Sequence, residues 1–368
     1  MRGWFPQVLS GHHLERGWRA LALLLAAATL LELAAGTGLA FVAGFGRVHA
    51  ALGHFDWRWL LAFPAAWLVS FVGYYLAYRG VFRVNEGPHI TWRHLSSVAI
   101  AGFGGFLAVR GESIDRYALR LAGATPADAR ARVAGLSGLE QGVLAIGGCA
   151  LSILVLVSGL SRPNLSVTLL WAVVPVPGFL IAFWLSQRYR ARFHGKQGWR
   201  GLIATFLDSV HIIRELFVHP LRWGPAIVGM GVFWAADAFA AWAALAAFGV
   251  HMAAAALYLG FASGMLVTRR SAPLAGAGIL ALVLPVTISY CGAPFAITIA
   301  GVFVYRILSL WLLMPAWLAV LPTLRAMGQN RDKTPKPPQS ADPLSRIGGL
   351  SQAAGLQPPT AELPGSSA

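Results

Sequence analysis

Charged residues follow directly on an apolar, glycine-rich segment in the stretch GFGGFLAVRGESIDR at residues 102–116. The apolar part is shorter than the roughly 20 residues that a helix needs to cross a bilayer. The residues that follow it include Arg110, Gly111, Glu112 and Arg116. Guanidinium groups form forked hydrogen bonds that suit phosphate, and the free amides at a broken helix end attract an anion. We therefore expect these four residues to form half of a lipid-headgroup site in a re-entrant segment.

A second segment repeats the order of these features. It has the sequence GFASGMLVTRRSAP and begins at Gly260, so that Arg269 and Arg270 take the place of Arg110. Short segments interrupted by glycine or proline at corresponding positions of two halves indicate the binding site of a transporter. The alternative is chance similarity between two Gly/Ala-rich stretches. We expect an internal pseudo-repeat whose two broken helices converge on one site.

Three charged residues lie within long apolar stretches: Glu32, Asp237 and Arg306. A charge at the centre of a bilayer costs about 2.5–3.5 kcal/mol on insertion scales, so each needs a partner or a water-filled cavity. Two alternatives remain open. The charges form structural ion pairs, for example between Asp237 and Arg306, or they line a polar path for a headgroup or for protons.

Glu140 lies on a predicted helix near the membrane surface. Basic residues at Arg116, Arg130 and Arg132 are candidates to pair with it. A structural ion pair and a contact with substrate are equally compatible with this position. We include Glu140 among the candidate binding residues.

The composition places all of these residues in a membrane. Of the 368 residues, 57% are hydrophobic and 12% are charged, whereas soluble domains carry about 25% charged residues. The formal net charge is +15, but the basic residues lie in loops between apolar stretches, and no nucleic-acid-binding signature occurs. The expected partners are therefore anionic lipids and not nucleic acid. No His/Cys pair has metal-ligand spacing, and we expect no cofactor.

The apolar pattern predicts an all-α, polytopic helix bundle with re-entrant broken helices. Long helices are predicted at residues 21–42, 59–77, 126–157, 167–185, 226–248 and 295–321, and shorter or broken segments at 95–109, 251–270 and 271–292. Residues 1–20 would be a cytoplasmic N-terminus, residues 21–324 the transmembrane domain, and residues 325–368 a disordered cytoplasmic tail.

Local signals refine several of these elements. Thr125, Pro126 and Asp128 are typical of a helix start. Pro175 and Pro177 should kink the 167–185 span, and Pro285 should break the 271–292 segment.

Apolar residues at helical spacing over 202–217 predict an amphipathic helix on the inner membrane surface. A helix that binds a protein partner is the alternative. The loop QRYRARFHGKQGWR that precedes it is strongly basic and therefore cytoplasmic. Arginine greatly outnumbers lysine, which favours a GC-rich bacterium and hence the bacterial inner membrane.

The stretch RGESIDRYALRLAGATPADARARVAGLSGLEQGVLAI resembles the first conserved block of the lysylphosphatidylglycerol synthase transmembrane-region family, also called flippase-like membrane proteins. In that block a Gly-acid pair leads to an arginine and then to a small-residue helix that bears a glutamate. Gly111, Glu112, Arg116 and Glu140 match these elements. The resemblance covers about residues 21–324.

The stretch APLAGAGILALVLPVTISYCGAPFAITIAGVFVYRILSLWLLMPAW resembles the second block of this family, a Pro-Gly-rich loop followed by a span. The matching residues are Pro273, Gly276, Gly278, Tyr305, Arg306 and Trp311. The family usually carries a glutamate shortly after this loop, together with paired glycines, whereas this chain has the apolar residues 280–282. The activity or the substrate is therefore expected to differ from that of the synthases.

The resemblance implies lipid handling. In the synthases a soluble domain transfers the aminoacyl group and the membrane region moves the product between leaflets, and we expect only the second activity here. The leading hypothesis is a non-enzymatic translocator of a lipid with an anionic or glycosylated headgroup. One alternative is an integral-membrane transferase that uses a polyprenyl-linked donor, with Glu112 or Asp115 as base or metal ligand. Another is a scaffold whose basic surface binds acidic lipid.

Overall fold

The computed structural model describes residues 14–53, 55–88, 90–105, 111–159, 164–193, 196, 198–266 and 276–312, together with 315–316, 319–320 and 322–323. Helix dominates this part of the chain, and it contains no strand. The predicted all-α helix bundle is therefore confirmed. The chain divides into Met1–Met327 and Gly328–Ala368. The second unit, and with it nearly all of the predicted tail, lies outside the described residues.

The α-helices are, in chain order, α1 (Leu14–Ala43), α2 (Phe45–Leu52), α3 (Ala62–Arg83), α4 (Trp92–Gly105), α5 (Gly111–Leu121), α6 (Pro126–Ser158), α7 (Leu165–Val173), α8 (Pro175–Phe193), α9 (Trp199–Val218), α10 (Pro220–Ala246), α11 (Ala254–Gly264), α12 (Ile279–Tyr290) and α13 (Phe295–Trp311). Short 3-10 helices precede and follow α3, at Trp57–Leu61 and Val84–Glu86.

Within the described ranges, five helical segments are long and apolar enough to cross a membrane. They are Leu25–Ala43, Trp57–Glu86, Pro126–Ser158, Leu165–Phe193 and Pro220–Ala246. Helices α11, α12 and α13 are apolar but shorter. The protein is therefore membrane-embedded, as predicted. Helix α13 ends at Trp311, within the last predicted span, and the structure describes the rest of that span only in part.

Helix ends follow from local sequence. The Thr125 hydroxyl accepts a hydrogen bond from the Asp128 amide at 3.1 Å, and Pro126 occupies the first position of α6, which confirms the predicted cap. Helix α7 ends before Pro175, whose missing N–H and bulky ring interrupt the helix. Pro177 causes no second break because it lies in the first turn of α8, where its amide would have no helical partner. The break predicted at Pro285 is wrong, because α12 continues through this residue.

Two pairs of short helices lie where the sequence predicts short or broken segments. Helix α4 ends at Gly105 and α5 begins at Gly111, while α11 ends at Gly264 and α12 begins at Ile279. Within each pair the two helices pack against each other, and both α5 and α11 contact α6. Each pair follows a long helix, α3 or α10. The first pair precedes the long helix α6 and the second precedes the shorter helix α13. The internal pseudo-repeat stays a prediction.

The two long helices α3 and α10 form the most extensive helix–helix contact of the bundle. Their backbones approach closely at Gly73 and Gly229, where an added Cβ would collide with the opposite main chain. Gly80 lies equally close to Ala226. Lipid tails are as apolar as leucine, so helices in a bilayer associate largely through close packing of small residues.

Helix α9 has the predicted amphipathic pattern, and part of its apolar face packs against neighbouring helices. Leu207, Val210 and Ile213 are buried, and the helix packs against α6 and α8. Gly138 of α6 provides the space for Ile213. Leu202 and Phe206 of the same apolar stripe are exposed, and the position of α9 on the membrane surface stays a prediction.

Candidate functional site

The predicted site residues fall into three groups. Arg110, Arg269 and Arg270 lie outside the described residues, so the positively charged part of the site stays a prediction. Gly111, Glu112 and Arg116 lie on α5, and Gly276 and Gly278 lie in the turn before α12. Glu140, Asp237 and Arg306 are buried and lie on α6, α10 and α13, respectively.

Glu112 and Arg116 pair with each other on one face of α5. Their side chains are about 4.0 Å apart, and they are 40% and 35% exposed. The Arg116 Nε also donates to the Glu112 carbonyl at 3.2 Å. An exposed pair one turn apart contributes only about 0.3–0.5 kcal/mol. These two residues therefore form a partly exposed ion pair, separate from the buried acids.

Asp115, on the buried side of α5, was considered only as a base or metal ligand in the transferase alternative and not as a binding residue. Its side chain is fully buried, and both of its carboxylate oxygens lie 3.0 Å from the Tyr78 hydroxyl, which donates to them. A signal for this contact exists in α3, where Tyr74 and Tyr78 are one turn apart in an apolar helix. Tyrosine hydroxyls that are buried in this way need hydrogen-bond partners.

Glu140 is held by α3 and α10. The Tyr74 hydroxyl donates to its Oε2 at 3.4 Å, and the Trp234 indole N–H donates to its backbone carbonyl at 2.7 Å. The expected pairing with Arg116, Arg130 or Arg132 is wrong. Arg116 lies beside Glu112, as described above, and the other two arginines bind atoms near the start of α6. Glu140 therefore belongs to a buried network of carboxylates and aromatic residues.

Arg132 has a separate, structural role. Its Nε donates to Asp128 at 2.8 Å, and its Nη1 donates to the carbonyls of Phe82 and Val84 at 2.9 and 2.8 Å. Cations bind favourably at the C-terminal end of a helix, where the last carbonyls have no helical partner. A Cβ on Gly87 would collide with this guanidinium. The neighbouring Arg130 is exposed and donates to the Pro126 carbonyl at 3.0 Å.

Tyr305 and Arg306, adjacent on α13, bind acids on two different helices. The Tyr305 hydroxyl donates to Asp237 Oδ1 at 2.9 Å, and Arg306 binds Glu32 on α1. Consecutive residues of a helix point about 100° apart, which explains why they reach α10 and α1. The ion pair that we suggested between Asp237 and Arg306 is thus replaced by one between Glu32 and Arg306.

The glycine turn before α12 adjoins the same region of α1. Gly276 and Gly278 have φ angles of 71° and 78°, which side chains other than glycine rarely adopt. An added Cβ on Gly278 would lie 3.5 Å from the Leu31 carbonyl oxygen. Leu31 directly precedes Glu32, so this turn and Arg306, which match the second block, both adjoin α1.

A chain of aromatic rings connects three of the buried carboxylates. Successive ring centroids lie 4.9–6.2 Å apart through Tyr78, Tyr74, Phe233, Trp234, Phe261 and Tyr305. We call these residues the aromatic chain. Asp115 and Glu140 bind its first two tyrosines, and Asp237 binds the tyrosine at its other end. The aromatic chain thus holds carboxylates from α5, α6 and α10.

A pocket opens beside Asp237. Its described lining comes from α3, α4, α10 and α13 and includes Leu312, directly after α13. Most of this lining is apolar or aromatic, and its polar side chains are Ser70, Asp237 and Ser309. A mostly apolar pocket with a few converging polar groups is the usual form of a small-molecule site. We call it the Asp237 pocket.

In the part of the chain that the structure describes, no group of three or more His, Cys, Asp or Glu side chains is arranged to hold a metal ion. Compared with models of known protein families and with curated proteins, the chain matches none of them. The fold and the site therefore define a class only: a multi-pass α-helical membrane protein with carboxylates buried between its helices. The resemblance to the flippase-like family stays a prediction.

Proposed function

We propose that the protein is a lipid translocator of the bacterial inner membrane, which moves an amphiphile with an anionic or glycosylated headgroup between leaflets. The all-α bundle, its two pairs of short helices and the resemblance to the lysylphosphatidylglycerol synthase transmembrane region support this function. Short helices at corresponding positions of two halves are typical of transporters.

The observation that carries the proposal is the position of Asp237. Asp237 is only 7% exposed, yet it helps to line a pocket between four helices of a membrane protein. Acids at membrane depth are costly and commonly mark the pathway of a substrate or an ion. This position supports a role for Asp237 in contacting a headgroup inside the bundle.

The same geometry suggests how an amphiphile would pass. The headgroup would move along the carboxylates that the aromatic chain holds, while its acyl chains stay in the surrounding lipid. Arg110, Arg269 and Arg270 would add positive charge for an anionic headgroup. The sequence has no GxxxxGK nucleotide motif, so we expect protons or the substrate gradient to supply the energy.

The test is a leaflet assay in proteoliposomes with fluorescent lipids and an impermeant quencher. We expect Asp237→Asn and Glu140→Gln to slow translocation by about tenfold or more, because each removes a charge that is used along the path. Asp208→Asn is the matched control, since Asp208 lies on α9 and pairs with Arg190 away from the pocket. Equal rates in wild type and in both site variants would reject the proposal.

The lipids recovered from the same vesicles separate translocation from chemistry. A translocator returns them chemically unchanged, and mass spectrometry checks this directly. A modified lipid that forms only with wild-type protein would contradict the proposal and favour the transferase.

A further inference from the structure

Helix α8 has an apolar face that little of the protein covers. In the span Leu165–Phe193, only 11% of the most apolar part is buried within the protein, against 61% for Pro220–Ala246. Leu180, Ile181 and Trp184 of α8 are each more than half exposed. They are three or four residues apart and therefore lie on one face of the helix. A partner that covers this face must offer hydrocarbon.

The same face becomes basic towards the end of α8. Arg188 and Arg192 follow Trp184 at intervals of four residues, and both are exposed. At 1.5 Å per residue, Leu180 and Arg192 are about 18 Å apart along the helix axis. The order apolar, aromatic, basic is the order in which a helix passes the acyl chains, the interfacial region and the charged headgroups of one leaflet.

Together, α8 and α9 carry more positive charge than their own acids neutralise. Residues 175–218 contain six arginines and lysines but only two acids. Both acids are paired, since Asp208 binds Arg190 at 2.7 Å and Glu215 binds Arg214 at 3.2 Å. The other four basic residues form no ion pair within the part of the chain that the structure describes. They are Arg188, Arg192, Lys196 and Arg200.

The start of α9 again combines tryptophan with arginine. Trp199 is largely exposed, and the guanidinium carbon of Arg200 lies 5.4 Å from the centre of its ring. Tryptophan is enriched where a membrane meets water. A cation–π contact leaves the charge of the arginine in place, so Arg200 adds to the positive field at this end of α8.

We propose that α8 and the start of α9 bind a phospholipid with an anionic headgroup, from the leaflet that the basic end of α8 faces. The phosphate contacts Arg188 and Arg192, because a guanidinium binds a phosphate through two parallel hydrogen bonds. The acyl chains lie along Leu180, Ile181 and Trp184. An acidic protein segment would match the charge but not the apolar face that is continuous with it.

This lipid site is separate from the proposed path of translocation. The residues assigned to it lie outside the described lining of the Asp237 pocket, which comes from α3, α4, α10 and α13. Binding at α8 therefore does not depend on the proposed function, and it adds a bound lipid that is a partner of the protein and not its cargo.

Native mass spectrometry of the full-length protein in detergent tests the proposal, with phosphatidylglycerol and phosphatidylcholine of identical acyl chains. We expect the first phosphatidylglycerol to bind about tenfold more tightly than phosphatidylcholine. Arg188→Gln/Arg192→Gln should raise the Kd of phosphatidylglycerol about tenfold, because basic residues beside an anionic headgroup each contribute to its binding. An unchanged Kd overturns the proposal.

The matched control is Arg47→Gln/Arg58→Gln, which lowers the net charge by the same two units. Both arginines are exposed and lie outside α8 and α9. Asp56, beside Arg58, donates its amide to the Ala247 carbonyl after the C-terminal end of α10, whereas α9 leads into the N-terminal end of that helix. We expect this variant to bind phosphatidylglycerol like wild type. Equal losses in the two double variants would show an effect of net charge alone and overturn the site.

Three further probes distinguish the lipid from other occupants. Glycerol 1-phosphate that displaces the lipid at micromolar concentration would show a site for free phosphate, and a polyglutamate peptide that binds more tightly than phosphatidylglycerol would show a site for acidic protein. Either result overturns the proposal. Asp237→Asn should leave the Kd of phosphatidylglycerol unchanged. If it weakens binding as much as Arg188→Gln/Arg192→Gln does, the lipid occupies the Asp237 pocket and not α8.

Discussion

Arg306 and Glu32 form an ion pair that joins helices α1 and α13, although 274 residues separate them in the chain. The Nε and Nη2 of Arg306 lie 2.9 and 2.8 Å from Glu32 Oε1. The side chains are 1% and 0% exposed. The other oxygen, Oε2, is buried and has no hydrogen-bond partner within the described residues. Glu32 is therefore stabilised mainly by its contact with Arg306.

Removing one member of this pair should destabilise the fold strongly. We expect Glu32→Gln and Arg306→Met each to lower the free energy of unfolding by about 3–5 kcal/mol, because each leaves a buried polar or charged group without its partner. The melting temperature of detergent-solubilised protein is the measurement. The double variant Glu32→Leu/Arg306→Met should recover much of the loss, since two apolar side chains leave no uncompensated charge.

The partly exposed pair of Arg190 and Asp208, 2.7 Å apart, provides the control. Asp208→Asn should change the free energy of unfolding by no more than about 1 kcal/mol, because water screens exposed pairs. If the Glu32→Gln and Asp208→Asn proteins melt at the same temperature, the buried pair contributes little to the stability of the fold.

The sequence predicts the elements of this protein better than the contacts between them. Apolar runs, the cap at Thr125 and the interruption at Pro175 are local, and each is confirmed. Glu32 and Arg306 were both recognised as buried charges, but their pairing depends on how α1 and α13 meet, which no local pattern specifies. Asp115 was passed over as a binding residue because α5 carries several charges and only its packing shows which side is buried.

The sequence also contains a signal for the α3–α10 contact that was not recognised. Small residues recur on α3 at Ala66, Ser70, Gly73, Ala77 and Gly80, with spacings of three and four. In an apolar helix this stripe indicates close packing against another helix. The stripe is difficult to recognise because the chain has 41 glycines, most of which do not indicate helix packing.

The close approach at Gly73 should tolerate no side chain. Gly73→Ala places a Cβ against the backbone of Gly229 and Phe233, and overpacking of this kind costs about 1–3 kcal/mol. We expect a lower melting temperature. The control is Gly38→Ala on α1, where an added Cβ meets nothing within 4 Å. Because alanine favours helix over glycine, Gly38→Ala should leave the melting temperature unchanged or raise it; equal melting of the two variants would contradict the predicted contact.

Arg132 should be needed for the junction between α3 and α6. Arg132→Met removes the donor to three carbonyls near the end of α3. We expect the free energy of unfolding to fall by about 3 kcal/mol, because hydrogen bonds to charged groups contribute about 1.5–3 kcal/mol each and only part of this is lost. Arg130→Met is the matched control on the exposed side of α6. If both variants melt at the same temperature, Arg132 does not act as a cap.

A histidine on α9 should make the stability depend on pH. Burial, and then the positive charge of Arg190, lower the pKa of His211 below its usual 6.5, although Glu215 and Asp208 oppose the shift and Arg214 adds to it. Since the unfolded chain takes up a proton near pH 6.5 and the folded chain does so only at lower pH, protonation favours unfolding. The melting temperature should therefore fall as the pH is lowered from 7 through 6.5. His211→Gln, which does not titrate, should show a smaller fall, and an identical pH profile in both proteins would exclude His211 as the cause.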